Sequence, residues 1–516
     1  MVAQQQKTGF FSRTFNRLLN RVEWLGNKLP HPITLFAILA VLVIIASAVL
    51  SAFNVSVEDP TQAGETLEVQ NLLSAEGIQY LFTSMVDNFI NFAPLGVVLA
   101  TMIGIGVAER SGLIGAALRG IVTSVPKQLV TAALIFAGVL SSMAVDAGYV
   151  ILPPLGALIF LSLGRHPLAG LAAAFAGVSA GFGANLFVTS LDPMLGALTI
   201  EAAATLDPEY AEGLNYLMNY YIMAVSVLLL TVVGTIVTEK IVEPRLGSFK
   251  GKTNKEDSIT YLSKVEKKGL TYAGLTVVGL IALALLLVVP EWGPLRGEGD
   301  SPILNSPFMD SLVAILLFVF LVPGLVYGIV TKEIRNDKDA AQQMSDTMAS
   351  MGMFIVLAFT AGQFVAYFAE TNIGTVIGAF GAELLETLQI GGIPLLLGFM
   401  IVCAIINLFI GSASAKWAIM APVFVPLMME FGFSPALTQA AYRIADSTTN
   451  IITPTMTYFA MIIAFAQKYD KKIGIGTLIS MMLPYTIFFS IAWTAMLIIW
   501  MLLGIDLGPG SPIYYE

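Results

Sequence analysis

The sequence predicts an all-α polytopic membrane protein: nine transmembrane helices plus two re-entrant hairpins in inverted repeats, with broken helices at the bilayer midplane. Three observations predict it. The 516 residues are 56% hydrophobic and 12% charged, with a mean hydropathy of +0.81, about half the charge of a water-soluble chain. The same stretch occurs twice: a shift of 268 residues lays Ala147–Ala173 on Ala415–Ala441 without a gap, matching Pro154 with Pro422, Gly164 with Gly432 and Pro167 with Pro435. A second block matches at a shift of 258, where Val98-Leu99-Ala100 meets Val356-Leu357-Ala358 and Gly104 meets Gly362. Lastly, Lys and Arg are sorted by loop, as a polytopic topology requires.

The first apolar run starts near Pro32, after a basic amphipathic stretch from Phe10 to Trp24 that reads as an interfacial helix rather than a cleavable signal. Full spans follow at 33–53, 80–109, 168–192, 217–239, 269–290, 309–331, 350–373, 436–467 and 475–503, each near the ~20 residues a bilayer core requires. Regions 128–163 and 394–429 do not fit as crossings. Arms such as Leu129–Leu140 and Tyr149–Leu161 are too short for a span and flank polar tips, Ser141-Ser142 and Gly411-Ser412-Ala413-Ser414. Each reads as a hairpin that enters and leaves on one side, its tip buried in protein or lining a cavity.

With the N-terminus cytoplasmic, 23 of 26 Lys and Arg fall in cytoplasmic segments, Arg296 falls outside, and Lys416 and Arg443 lie within the membrane region. The outer loops carry acids instead, including Glu58, Asp59, Glu65, Glu68, Glu76, Glu201, Asp207, Glu209 and Glu212. Hairpin 128–163 then opens to the cytoplasm and hairpin 394–429 to the exterior, which makes the repeats inverted. The chain divides into a cytoplasmic interfacial segment (1–32), a scaffold helix with its outer loop (33–79), repeat one (80–240), a basic linker with a helix and outer loop (241–308), a scaffold helix with a cytoplasmic loop (309–345), repeat two (346–503) and a periplasmic tail (504–516).

Each hairpin precedes a helix that breaks. Gly177 to Asn185 packs three glycines and an asparagine into mid-bilayer helix, with Asp192-Pro193 about two turns later; Asp446 to Pro454 does the same with hydroxyls and a proline. Freed carbonyls need partners that hydrocarbon lacks, and a desolvated cation is one. Asn185, Asn407, Asp446 and Asn450, with Ser447, Thr449 and hairpin-tip Ser142, Ser412 and Ser414, offer the hard oxygens that suit sodium rather than zinc or iron. The same side chains also serve as caps and interhelical glue. Cys403 is the only cysteine, and His31 and His166 each precede a proline, which leaves no thiolate cluster and no histidine metal site.

Arg443 costs at least ~2.5–3.5 kcal/mol at membrane depth, so it must face a partner or a cavity. Its partner is either Asp446, three residues along the helix, or a substrate carboxylate held bidentately. Trp417 offers an aromatic face for a flat ring or a packing anchor. Lys416 beside it neutralises hairpin carbonyls or serves the site. Asp192 is a helix-end acid in solvent or a titratable group facing the cavity.

The runs from Val22 to Pro32, Gly164 to Val178, Ile406 to Trp417 and Ala441 to Ser447 resemble the AbgT family of p-aminobenzoyl-glutamate transporters, in the ion transporter superfamily, nearly end to end. The closeness points to a bacterial inner-membrane member of the YdaH type. The resemblance implies a homodimer of protomers with nine spans and two hairpins, divided into scaffold and transport parts, carrying p-aminobenzoyl-glutamate, a folate breakdown product, and exporting sulfonamide antimetabolites. It places substrate contacts at Asp192, Trp417, Pro435 and Arg443, and a sodium site at Asn407 and Asp446.

The expected function is therefore an ion-coupled secondary transporter, with sodium the possible coupling ion, no organic cofactor and no nucleic-acid partner. A sodium-coupled dicarboxylate importer is the same-class alternative. An intramembrane hydrolase lacks HExxH and GxSxG motifs, and a passive channel is disfavoured by the broken-helix ion site.

Overall fold

The computed structural model describes residues 32–58, 66–143, 145–249, 261–297, 306–377, 380, 391–454, 456 and 458–515. The amphipathic stretch before Pro32 lies outside the described residues, as do Asp59 and Glu65. Among the described residues seven helices are long and apolar enough to cross a membrane: Ile33–Ala52, Met85–Arg110, Tyr220–Leu246, Lys264–Val288, Leu312–Thr331, Gly352–Glu370 and Ile475–Leu503. They fall on seven of the nine spans read from the sequence. Their outer faces stay apolar: on Lys264–Val288, Leu275 and Val278 are more than 60% exposed, which hydrocarbon accommodates and water does not. The chain is a multi-pass membrane protein.

The other two spans are split, for reasons visible in the residues. Pro167–Phe175 is α-helical, Ala176–Ala180 widens into a π turn, residues 181–190 leave the helix, and Leu191–Ala203 resumes it. Glycines 177, 181 and 183 set the break, and the π turn before it is of the single-turn kind found often at functional sites. Asp192-Pro193 therefore opens the second piece rather than closing a span, because Pro193 sits in the first turn, where a missing N–H costs nothing. In the other half, Pro435–Asn450 is followed by non-helical backbone and then Phe459–Gln467. The break falls later than the hydroxyl-rich stretch suggested: Asp446 to Asn450 are helical, and the helix stops at Asn450, the i−4 carbonyl with which the Pro454 ring would clash.

Both hairpin regions contain two helices around a short interruption. Val130–Leu140 and Val145–Ser162 flank a 3₁₀ turn at Ser141–Met143; Gly392–Asn407 and Ala413–Glu430 flank residues 408–412. The second arms are longer than the sequence suggested, with Pro153, Pro154, Pro422 and Pro426 inside them. Shifting Val145–Ser162 by 268 gives the bounds of Ala413–Glu430, and Gly164 and Gly432 share the left-handed backbone at φ 74° and 75°.

Several elements escaped the sequence reading. Leu113–Thr123 meets Lys127–Leu140 at 116°, Asp337–Ser350 forms an amphipathic helix, and Ser56–Glu58 pairs antiparallel with Thr66–Glu68. The C-terminal tail is anchored as well. Ser434, the N-cap of Pro435–Asn450, donates to the Pro512 carbonyl at 2.6 Å, and Tyr515 donates to Asp207 at 2.7 Å. The Tyr210 backbone N–H and the Tyr515 hydroxyl hold the Asp207 carboxyl below its ordinary range.

Pro435–Asn450 occupies the centre, every residue of it buried. It packs against Gly392–Asn407, Ala413–Glu430, Ile475–Leu503 and the Ala176–Ala180 turn, while Leu191–Ala203 packs against Ala413–Glu430. Both breaks are thereby brought to one central helix.

Candidate functional site

Four charged side chains are buried among the described residues: Asp192, Lys416, Arg443 and Asp446. Two are acids and two are bases, and they pair one to one. Burial of this kind is tolerated only with partners and full hydrogen bonding.

The first pair gives Arg443 a protein partner other than Asp446, the intrahelical alternative. Its Nη1 donates to Asp192 Oδ1 at 2.7 Å and its Nη2 to the Gly183 carbonyl at 2.8 Å, so one guanidinium ties Pro435–Asn450 to both the broken segment and the helix that follows it. Asp192 Oδ2 accepts from the Thr189 N–H at 2.7 Å, the Thr189 hydroxyl at 3.0 Å and the Asn185 amide at 3.1 Å. Gly183 is required here: a Cβ on it would stand 2.6 Å from Ser447 Oγ, which accepts the Gly183 N–H at 2.8 Å. Two buried groups of this cluster have no hydrogen-bond partner, Arg443 Nε and Asn185 Oδ1.

The second pair joins Lys416, fully buried, to Asp446 Oδ1. Lys416 also donates to Asn407 Oδ1. The Asn407 amide shares its two hydrogens among the Asp446 carbonyl at 2.7 Å, Thr449 Oγ1 at 2.8 Å and Asn450 Oδ1 at 2.9 Å. Asn407, Asp446, Thr449 and Asn450 thus form one cluster, as expected. Asn185 is not among its contacts; its amide binds Asp192 and Thr189 on the Arg443 side.

Trp417 lies in Ala413–Glu430, fully buried, its ring stacked on Tyr442 with centroids 4.5 Å apart and its Nε1 donating to Thr199 at 2.9 Å. In this conformation Tyr442 covers one face of the indole, which acts as an anchor. Pro435 is the first residue of its helix, eight positions before Arg443, or about 12 Å along the axis; it sets the helix start and meets neither charge pair. The sequence reading missed a polar chain beside Trp417: Gln439 donates to Thr199 at 2.6 Å, and Asn219 to Gln439 at 2.5 Å. Gln439, one turn before Arg443 on a helix already singled out, was the available signal.

Residues 17–515 match the AbgT transporter family over nearly the whole chain. The chain belongs to the AbgT family. It is 40% identical over 494 residues to the p-aminobenzoyl-glutamate transport protein of Escherichia coli strain K12, covering 96% of each chain. Its fold is similar to two solved structures. One is the YdaH transporter of Alcanivorax borkumensis, described as having an unusual topology, with TM-score 0.88, 43% identity, and 93% of this chain and 100% of that one covered. The other is MtrF of Neisseria gonorrhoeae, described as illuminating a class of antimetabolite efflux pumps, with TM-score 0.89, 47% identity, and 96% and 100% covered. The AbgT chain is accordingly a transporter and not an enzyme. None of these relatives supports the dicarboxylate-importer alternative.

The residues present do not fit a sodium ion as they stand. An ion between Asp446 and Asn407 needs several oxygens turned inward, whereas the Asn407 N–H₂ claims three of them, the Lys416 ammonium two more, and Asp446 Oδ2 accepts from the Asn450 amide at 3.4 Å.

Proposed function

We propose that this AbgT protein is an ion-coupled secondary transporter that carries p-aminobenzoyl-glutamate and exports sulfonamide antimetabolites across the bacterial inner membrane. It works as a homodimer, with the N-terminus cytoplasmic and the C-terminus periplasmic, and with two re-entrant hairpins in inverted repeats. The name of the Escherichia coli relative supports the substrate, and the description of MtrF supports efflux.

One observation carries the reading. A buried guanidinium at the meeting point of the split helices holds a single carboxylate, Asp192, and leaves Nε unpartnered. A substrate carboxylate that takes the place of Asp192 Oδ1 accepts from Nη1, and the unpartnered Nε–H, on the opposite edge beside Nη2, adds a free donor on the side-on fork that guanidinium offers a carboxylate. Asp192, held by Thr189 and Asn185 on its other oxygen, then acts as the internal stand-in that keeps Arg443 neutralised between substrates. Exchange of one carboxylate for another keeps the buried charge count constant, which avoids stranding an ion in low dielectric.

The test is flux of radiolabelled p-aminobenzoyl-glutamate in proteoliposomes, with sodium and proton gradients imposed separately. Saturable flux driven by one gradient is the expected result. Equal flux in both gradients and in none removes ion coupling, and absence of saturable flux removes the substrate.

A further inference from the structure

We infer that Lys416 is the resident cation of the Asn407–Asp446–Asn450 cluster, a tethered ammonium standing where a sodium ion would otherwise bind, so that this chain holds no sodium there. The inference concerns occupancy of the cluster and stands whichever substrate is carried.

Geometry supports it from three sides. Lys416 is fully buried, and its ammonium meets both the Asp446 carboxylate and the Asn407 side-chain carbonyl, the two oxygens most suited to a cation. The other oxygens already accept hydrogens: the Asp446 carbonyl, Thr449 Oγ1 and Asn450 Oδ1 from Asn407 Nδ2, and Asp446 Oδ2 from Asn450 Nδ2 at 3.4 Å, while Thr449 Oγ1 itself donates to the Ala445 carbonyl at 2.7 Å. The charge count closes without a metal. Asp446 and Lys416 cancel, Asp192 and Arg443 cancel, and no further Asp, Glu, Lys or Arg touches these two pairs among the described residues. A sodium ion added to this set would be a surplus charge away from water, without the hydration that stabilises it outside.

Lys416 is also placed to report on the hairpin. It lies four residues after Ser412, the N-cap of Ala413–Glu430, so its ammonium fastens the hairpin's second arm to the central helix that carries Asp446. A free sodium would neutralise Asp446 without making that link. In this chain the charge of the cluster and the docking of the arm are therefore one interaction.

The experiment uses the purified full-length protein, with sodium replaced by potassium at constant ionic strength, and reads binding of radiolabelled sodium and the melting temperature. Wild type should show no saturable sodium binding and no sodium-specific rise. Lys416→Met keeps the length of the side chain and removes the ammonium, leaving Asp446 without a cation. It should gain saturable sodium binding and a sodium-specific rise of roughly 2–5 °C. Adding Asp446→Asn to Lys416→Met should abolish the gain. Saturable sodium binding by wild type that is unchanged in Lys416→Met overturns the inference, as does a folded Lys416→Met protein with no gain. If Lys416→Met is unstable in potassium, sodium during extraction should restore it, and instability in both salts also overturns the inference. These readouts involve no transported substrate, so failure of the substrate assignment leaves them intact.

Discussion

Replacing Asp192 with Leu should cost more stability than replacing Arg443 with Met, and the two changes together should cost less than their sum. Each single change strands a buried charge, a situation worth about 3–5 kcal/mol. The surroundings decide where in that range each falls. In Arg443→Met, Asp192 Oδ2 keeps its three donors from Thr189 and Asn185, at 2.7, 3.0 and 3.1 Å, which places the loss near ~3 kcal/mol. In Asp192→Leu those donors lose their acceptor, and Arg443 keeps only the Gly183 carbonyl at 2.8 Å, which places the loss near ~5 kcal/mol. The double variant strands no charge, so the coupling should be roughly 2–3 kcal/mol. Equilibrium unfolding of the four purified proteins in mixed detergent measures the cycle. Additivity within about 0.5 kcal/mol would show that the groups do not pair, and would remove Asp192 as the stand-in for a substrate carboxylate.

Arg443→Lys keeps the charge but loses the planar fork, so affinity for a carboxylate substrate should fall at least tenfold, about 1.4 kcal/mol, while a neutral sulfonamide is little affected in the same binding assay; equal losses would make the residue structural. Trp417→Phe keeps the stacking on Tyr442 but strips the Thr199 hydrogen bond, and should cost about 1 kcal/mol, against about 3–5 kcal/mol for Trp417→Ala, both read by unfolding. Tyr515→Phe removes one of the donors that depress Asp207. The stability from a depressed carboxylate is present above its unfolded pKa and lost as pH falls through the folded one, so below about pH 4 the variant should lose less than wild type. Coincident melting profiles against pH would refute the clasp.

The long apolar runs were legible because a bilayer imposes a length, and Ile475–Leu503 was read at 475–503 from hydropathy alone. The first break was also legible, and the second in its cause though not its start, since Gly177 to Gly183 and Pro454 act on their own backbone. Partners were not. Asp446 is nearest to Arg443 along the chain, yet Arg443 reaches Asp192, 251 residues away, and Lys416 takes Asp446. Sequence proximity ranks local pairs, whereas packing of the central helix against both the first break and the hairpin arm decides which carboxylate each cation meets. Asn185 follows the same rule: its residue type suits an ion cage, but its position on the first break places its amide on Asp192. Trp417 illustrates the limit of residue type, because an indole that looks available for stacking is stacked already.

The duplication copies backbone and not chemistry, and charge explains where the copies part. Under the 268-residue shift the positions that shape the chain agree: proline at the first helical position, as Pro167 and Pro435, and glycine with positive φ, as Gly164 and Gly432. At the charged positions they disagree. Arg443 falls on Phe175, Asp446 on Val178 and Lys416 on Gly148. Phe175 instead joins an aromatic cluster with Tyr149 and Phe459. A second arginine there would need its own acid, and the described residues place the one Asp192 against Arg443; unpaired, it would cost about as much as breaking a buried ion pair. The first half keeps what a broken helix needs and supplies a single acid, Asp192, from beyond the copied stretch, while the second half holds the other three charges. The four buried charges therefore form one composite cluster, built across both copies.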